Sequence, residues 1–457
     1  MINFRKNDVF EAEVIDLTHE GQGVVKIDGF PFFVDNALPD EKIQMKITKV
    51  GKNFGFGRVE KRLVASPKRV NNLNLNYLRT GIADLGHLVY EEQLIYKRKQ
   101  VVELLHKTAG KTNFPVSETI SAENPTKYRN KAQIPVREIN GQLETGFFRK
   151  NSHELVPIED FYIQNSEIDQ LVLFLRDEFR KYFLTSLSIY DEKTREGWLR
   201  NLVIRRAYHS GEIMLILVVT SAQLPFDKEI FLTALSKKFP TIKSVQLNIN
   251  SSDGSFIFGK KFILLSGNNF ITDTMLEKKF EISAPAFYQV NTPQAEKLYQ
   301  VAYEFAELKP TDCVIDAYSG IGTIGIGMAD KVSQVYGMEV IPEAVENAQH
   351  NAHLNGITNT HYEVGTAEKI LPEWLQKGIV PDVIFVDPPR KGLDESFIEA
   401  ATATTARALV YISCNPATFA RDVVRLENCG YFLDKVQPVD LFPQTHHVEL
   451  VGNFKKK

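Results

Sequence analysis

Cysteine is scarce: Cys313, Cys414 and Cys429 are the three in 457 residues. Three thiols build neither a disulfide framework nor a four-cysteine metal site, and a reducing, cytoplasmic setting is the simplest expectation. No apolar run reaches membrane-spanning length, and the amino-terminal stretch MINFRKNDVFEAEVI has no apolar core of signal-peptide size. Net charge is also lacking. At -3 the chain is no polycation, so any affinity for nucleic acid must come from a local patch. Internal repeats and low-complexity segments are absent. What remains is 43% hydrophobic and 24% charged, an ordinary globular composition with length for about three domains.

Residues 1–62 read as five short strands (VFEAEVIDL, GQGVVKIDG, FPFFVDNAL, EKIQMKITKV, FGFGRVEKRL) punctuated by Gly, Pro and Asp, the pattern of a small OB-like barrel. Residues 41–70 hold nine Lys or Arg (Lys42, Lys46, Lys49, Lys52, Arg58, Lys61, Arg62, Lys68, Arg69) against Glu41 and Glu60. Such a local excess suits a polyanion, because phosphate contacts release condensed counterions; a solvated charged face is the alternative. Phe30, Phe32, Phe33, Phe54 and Phe56 interleave with the cations. Exposed aromatics there would stack on bases, and at least half of these rings are expected in the barrel core.

The middle of the chain reads as α+β. Glu91 to Thr108 has apolar residues at helical spacing. Hairpins are expected at Asn140-Gly141 and Ser210-Gly211, with helices near 165–185 and 226–238. After about residue 285 the grammar becomes strand, loop, helix, repeated: CVIDAYSG, QVYGMEV, HYEVGTA, PDVIFVDPP, ALVYISCNP, YFLDKVQPVDLF, HHVELVGNF. This alternation predicts an α/β, doubly wound and mostly parallel sheet, with ligands outside the carboxyl ends of its strands.

Four of those ends carry chemistry. VIDAYSGIGTIGIGMA places Asp316 at a strand end, then Gly320, Gly322 and Gly325 in a loop opening a helix, where backbone approaches a ligand closely. Nineteen residues after Gly320, Glu339 ends the next strand and is placed to accept ribose hydroxyls. That pair alone fits a dinucleotide as well as S-adenosylmethionine. The tip Asp387-Pro388-Pro389-Arg390 favours a methyltransferase acting on nucleobases over a dehydrogenase. Arg390 stands where an aromatic would suggest methylation of an amino group.

Cys414 stands at the next tip, inside the polar loop of Ser413, Asn415 and Pro416. Buried cysteines are commonly inert, and Cys313 and Cys429 fit that reading. A thiolate beside a methyl donor has a use, however. Carbon 5 of a pyrimidine is a poor nucleophile until a thiolate adds to carbon 6. A base must later remove the carbon-5 proton. Glu449, in FPQTHHVELVGNF, is the candidate, since a glutamate in an apolar strand is costly unless it works or is paired. His446 and His447 are rivals for that role. As neighbours on one strand they would face opposite ways and form no metal pair.

SCNP with HVE downstream, DPPR before it, and FYQVNTPQAEKLY ahead of the glycine loop together resemble the RNA uracil-5-methyltransferase family, and the likeness covers nearly the whole chain. The resemblance implies a class I, Rossmann-like S-adenosylmethionine-dependent fold with an amino-terminal TRAM barrel. It implies Cys414 as nucleophile, Glu449 as base, and Gln289, Tyr318, Gly320, Glu339 and Asp387 as contacts of S-adenosylmethionine. It also implies a domain plan: barrel 1–62, central RNA-binding domain 63–90 and 119–284, and catalytic domain 91–118 with 285–457. Tyr318 and Thr323 occupy positions where relatives often have Phe and Asn. Many ribosomal members carry a four-cysteine iron–sulfur cluster; here Thr80 and Ala83 stand where cysteines would, so no cluster and no metal are expected. Members without the cluster, from Gram-positive bacteria, modify two uridines of 23S ribosomal RNA, and this chain looks most like those. The expectation is a monomeric enzyme making 5-methyluridine in a loop or bulge of that RNA, away from membranes. A tRNA uridine methyltransferase and a non-catalytic RNA-binding or assembly factor are the alternatives.

Overall fold

The computed structural model describes residues 4–183, 185–254 and 256–456. The first unit is a barrel of six strands, one more than the sequence pattern suggested. The first expected strand breaks after Glu13. Its first half, Val9–Glu13, pairs with Lys42–Val50, and its second, Asp16–Leu17, pairs with Gly23–Ile27. Because the two halves lie at opposite ends of the strand order, the bend closes the sheet on itself. Val25, Phe32, Val34, Ile43, Met45 and Ile47 fill the interior. Phe33, Phe54 and Phe56 instead form a partly exposed cluster, with ring centroids 5.2 to 6.0 Å apart.

The basic patch is smaller than its sequence count. Glu41 is fully buried and holds Arg62 at 2.9 Å and Arg69 at 2.6 Å. Arg58 pairs with Glu60, and Lys68 with Glu92. Lys42, Lys46, Lys49, Lys52 and Lys61 form no ion pair among the described residues. Four of the nine cations are therefore held by carboxylates, Arg69 and Lys68 among them tying the barrel to the chain around it, and five are left for a polyanion.

The central unit is a seven-stranded sheet in the order Lys261–Gly267, Ile242–Ile249, Ile213–Val219, Leu199–Arg206, Lys131–Ile139, Gln142–Phe148, Leu155–Pro157. The turn after Lys131–Ile139 has φ of 52° at Asn140 and 78° at Gly141, the double positive of a type I′ hairpin. Helices Ser166–Arg180 and Lys228–Lys238 cover one face, burying Leu171, Leu175, Phe179 and Leu235 against Ile134, Leu202 and Leu215. On the other face, Val203, Met214 and Ile216 share a core with Ile271 and Phe280 of the hairpin Phe270–Ser283, with helix Thr292–Ala306, and with Val314 of the next sheet. That continuous core joins the central and carboxyl-terminal units.

The third sheet contains Cys313–Ala317, Gln334–Glu339, Thr360–Val364, Val383–Val386, Ala408–Ser413, Tyr431–Val439 and Glu449–Lys456. Counted along the chain, its spatial order is third, second, first, fourth, fifth, seventh, sixth. The first five strands are parallel, and Glu449–Lys456 runs antiparallel between its two neighbours. An upstream segment completes this unit. Helix Tyr90–Ala109 packs Val101 and Leu105 with Leu426, Tyr431 and Leu433, and Val116 and Ile120 bridge to Val436 and Val439 at the sheet edge. No helix among the described residues is long and apolar enough to cross a membrane.

Candidate active site

A cleft of about 690 Å³ opens at the carboxyl ends of the parallel strands, and Gln289, Tyr318, Gly320, Glu339, Asp387, Cys414 and Glu449 all line it. Each arrives by a local rule. After Cys313–Ala317 the backbone turns through positive φ at Tyr318 (66°), Gly320 (55°) and Gly322 (85°) before helix Thr323–Met328 starts. A positive φ is uncommon for a tyrosine, and here it sends the ring to pack 6.0 Å from Phe397. A side chain on Gly320 would meet nothing within 4 Å, so this glycine serves the turn and an open approach from the cleft.

Glu339 is fixed by backbone donors. The Gly320 N–H donates to one carboxylate oxygen and the Ile341 N–H to the other, both at 3.1 Å. Each oxygen keeps a lone pair for a further donor such as a ribose hydroxyl. Ser319 Oγ is buried without a partner beside it. Ile321, Ile324, Val340 and Pro388 supply an apolar wall. Gln289 is buried and its Nε2 donates to the Tyr299 hydroxyl at 3.4 Å. An apolar wall with a carboxylate and a free hydroxyl at one end fits an adenosine-type group.

The reactive end lies where two loops lock together. Asn415 caps the helix Pro416–Asn428 through the Ala417 N–H, while its Nδ2 donates to the Arg390 carbonyl at 3.1 Å. Thr418 Oγ1 reaches the same carbonyl at 3.3 Å. The Cys414 loop and the Asp387–Arg390 tip are therefore set relative to each other. Glu449 comes from the antiparallel strand, which begins where its neighbours end. Ser413 pairs with Leu450, and extending that register by one residue sets Cys414 opposite Glu449.

Glu449 is 6% exposed. Its carboxyl is pushed up to about 8 by burial, then by the charge of Asp387, against the pull of Arg390. Burial raises Asp387 to about 7. The Cys414 thiol is raised to about 11 by burial and then by Glu449 and Asp387, with Arg390 opposing. This end of the cleft thus keeps Glu449 mostly protonated near neutrality and Asp387 about half so, and it keeps its thiol quiet until the local charge changes.

Strand Glu449–Lys456 begins only after the two histidines, so the opposite-faces argument for His446 and His447 does not apply. They lie in the preceding loop with ring centroids 4.1 Å apart. His446 Nδ1 is 2.6 Å from the buried Asp84 carboxylate. His447 lines the cleft and is held down to about 4 by burial, then by His446 and Arg390. Neutral His447 remains a geometric rival to Glu449. Among the described residues no group of His, Cys, Asp and Glu is arranged to hold a metal. The loop is anchored from the far end of the chain. Lys97 and Asp440, both fully buried, pair at 2.5 Å, Lys97 Nζ donates to the Phe442 carbonyl at 3.0 Å, and the Tyr90 hydroxyl donates to Asp440 at 2.8 Å.

Among the lining residues not foreseen as site residues, two stand out. Phe287 is 69% exposed at the rim, and its signal was an aromatic two positions before Gln289. Arg390 forms no ion pair among the described residues and its charge acts on Glu449, Cys414 and His447; its unusual place after two prolines was the clue.

The profile of the tRNA (uracil-5-)-methyltransferase family matches residues 233–457, and that of the TRAM domain residues 4–59. An uncharacterized RNA methyltransferase of Lactococcus lactis, YljE, is 69% identical over 457 residues, covering 100% of this chain and 99% of that one. An uncharacterized RNA methyltransferase of Streptococcus mutans is 57% identical, covering 98% of each chain. Among solved structures, a tRNA (uracil-54, C5)-methyltransferase of Pyrococcus abyssi, in complex with S-adenosyl-L-homocysteine, superposes with a TM-score of 0.75 at 26% identity, over 97% of this chain and 99% of that one. With a cleft whose lining fits a nucleoside and a thiol set against a carboxyl, these likenesses mean that the chain belongs to the tRNA (uracil-5-)-methyltransferase family of RNA methyltransferases and carries a TRAM domain at its amino terminus.

Proposed function

We propose that the protein transfers a methyl group from S-adenosylmethionine to carbon 5 of uridine in 23S ribosomal RNA, through a covalent bond between Cys414 and carbon 6. The observation that carries this reading is the register that sets Cys414 opposite Glu449 in the cleft that also holds Glu339 and Asp387. S-adenosylmethionine, when bound, supplies an electrophilic methyl group. Glu339 and Ser319 would hold its ribose, and the Ile321, Ile324 and Pro388 wall its apolar part.

The chain's own residues then act in order. Cys414 gives its proton to solvent water and its sulfur adds to carbon 6 of a uracil taken out of its stack. The electron pair of the carbon 5–carbon 6 double bond passes to carbon 5 and its adjoining carbonyl, which makes carbon 5 nucleophilic. Arg390 favours the thiolate, and Asp387 and Glu449 oppose it unless they are protonated. Once carbon 5 carries the methyl, Glu449 in its ionised form takes the carbon-5 proton. The carbon–sulfur bond breaks and the thiolate leaves. A carboxyl with a midpoint near 8 is a stronger base than an ordinary glutamate, which suits it to a carbon acid.

The barrel and the central sheet we assign to RNA binding, with residues 91–118 grouped with 285–457 as the catalytic unit. Support for ribosomal RNA comes from the resemblance to cluster-lacking Gram-positive members and from the lactococcal and streptococcal origin of the relatives. A second reading, tRNA, is favoured by the Pyrococcus likeness. That tRNA enzyme superposes on 97% of this chain, so an amino-terminal barrel is compatible with a tRNA substrate. The test is transfer of labelled methyl to 23S and transfer RNA purified separately from cells lacking the protein. Label in 23S RNA alone supports the proposal, label in tRNA alone replaces it with the second reading, and label in neither refutes both.

A further inference from the structure

Beside the catalytic cleft lies a second cavity of about 430 Å³, and Arg390, Phe442 and His447 line both. The central unit provides its other wall through Gln133 and Phe147 of its sheet, Tyr128 and Arg129 just before it, and Ile163 and Gln164 from a later segment. Its volume is within the roughly 300–1,000 Å³ of small-ligand sites. Three observations point to an occupant. No Asp or Glu lines the cavity, yet the guanidiniums of Arg129 and Arg390 form no ion pair among the described residues. Lys131 and Arg205, register partners on the sheet face that carries Gln133, likewise have no carboxylate partner. Gln164 lines the cavity and is 1% exposed; its buried Oε1 accepts no hydrogen bond while its Nε2 donates to Asp169 at 3.1 Å. Half-buried Arg129 and exposed Arg390, cations without carboxylate partners, are free to take an external anion, and a buried amide oxygen without a partner calls for an external donor. Tyr128 and Phe147 offer rings to a flat group.

Resting on the uridine-methylation reading, we propose that this cavity is a second nucleotide subsite, which takes the residue next to the target uridine in the RNA chain. Its phosphate lies toward Arg129 and Arg390, and its base lies among Phe147, Tyr128 and the Gln164 amide oxygen. Continuity of the two cavities at Arg390 is what lets one strand enter both. A protein that reads a base outside the duplex commonly also grips its neighbours, and an amide acceptor there favours a base with an exocyclic amino group.

The test uses the full chain, labelled methyl donor, and mixed ribosomal and transfer RNA from cells lacking the protein. Arg129→Gln, Gln133→Leu and Phe147→Ala should each raise the KM for RNA about tenfold and leave kcat and the donor KM within about twofold. Arg129→Gln should also reduce the slope of log affinity against log salt by about one. Gln133 is half-buried, so its variant keeps the test open if loss of Arg129 impairs folding. Lys297→Gln, in a cavity that shares no lining residue with the catalytic cleft, should change nothing. Unchanged KM for RNA in all three variants overturns the subsite. If the wild-type chain methylates neither RNA, the uridine reading falls instead. Filter binding of the same RNA by Arg129→Gln then decides the subsite, an unchanged affinity and salt slope overturning it.

Discussion

Replacing Glu449 by Gln keeps the shape of a buried side chain and removes its proton equilibrium, so it separates the cost of the carboxyl from its use. A carboxyl whose midpoint moves from 4.5 to about 8 on folding penalises the folded state by on the order of 5 kcal/mol once ionised, at about 1.4 kcal/mol for each pH step. The sign follows from who holds the proton. Below pH 4.5 both states hold it and there is no penalty. Between 4.5 and about 8 the unfolded chain has released it and the folded one has not, so stability falls as pH rises. Above about 8 the loss is complete. Glu449→Gln should therefore match the wild type in urea unfolding at pH 4.5, apart from a constant offset, and gain several kcal/mol on it by pH 9. The same variant should complete one methylation and stall, because no base remains to release the sulfur from carbon 6. The stalled species is a protein–RNA adduct that survives denaturing gels, carries the labelled methyl, and disappears when Cys414→Ala is added. A stability difference that does not change with pH would refute the buried-carboxyl argument. Normal turnover would exclude Glu449 as the base and turn attention to His447.

Cys414→Ala should abolish methyl transfer while leaving calorimetric binding of S-adenosylmethionine nearly intact; substantial turnover would sink the covalent route. Glu339→Ala removes a charged acceptor held by two backbone donors, so donor affinity should fall about ten- to a hundredfold with RNA affinity unchanged by filter binding. Changing Lys46, Lys49 and Lys52 together to Gln should lower the salt slope of RNA binding by about three; an unaltered slope would make these lysines solvated surface. Wild-type methyl transfer under donor saturation should rise with pH through about 8 as Glu449 ionises, and a flat profile from pH 6 to 9 would contradict its role.

Local grammar carried much of this protein in plain view. The Asn140-Gly141 turn, the glycine loop after Asp316, the Asp387-Pro388-Pro389 tip and the Ser413-Cys414-Asn415-Pro416 loop are each short-range patterns whose backbone needs show in the residues themselves. They sufficed for the class of the sheet and, with the motifs around them, for the family resemblance, and it was the resemblance that named the full set of seven residues lining the cleft. What the tertiary structure decided is who faces whom. Glu449 reaches Cys414 because one antiparallel strand is inserted between two others, and period-two alternation names a face but never a partner. The same holds for Lys97 and Asp440, 343 positions apart, and for Glu41, which turns two of nine apparent RNA-binding cations into internal ties. It also holds for the second cavity, whose walls come from six separate stretches of the chain. Composition and spacing specify which groups a chain owns, but charge neutralisation, desolvation and register are properties of contacts made across the fold, and those set the chemistry of this cleft.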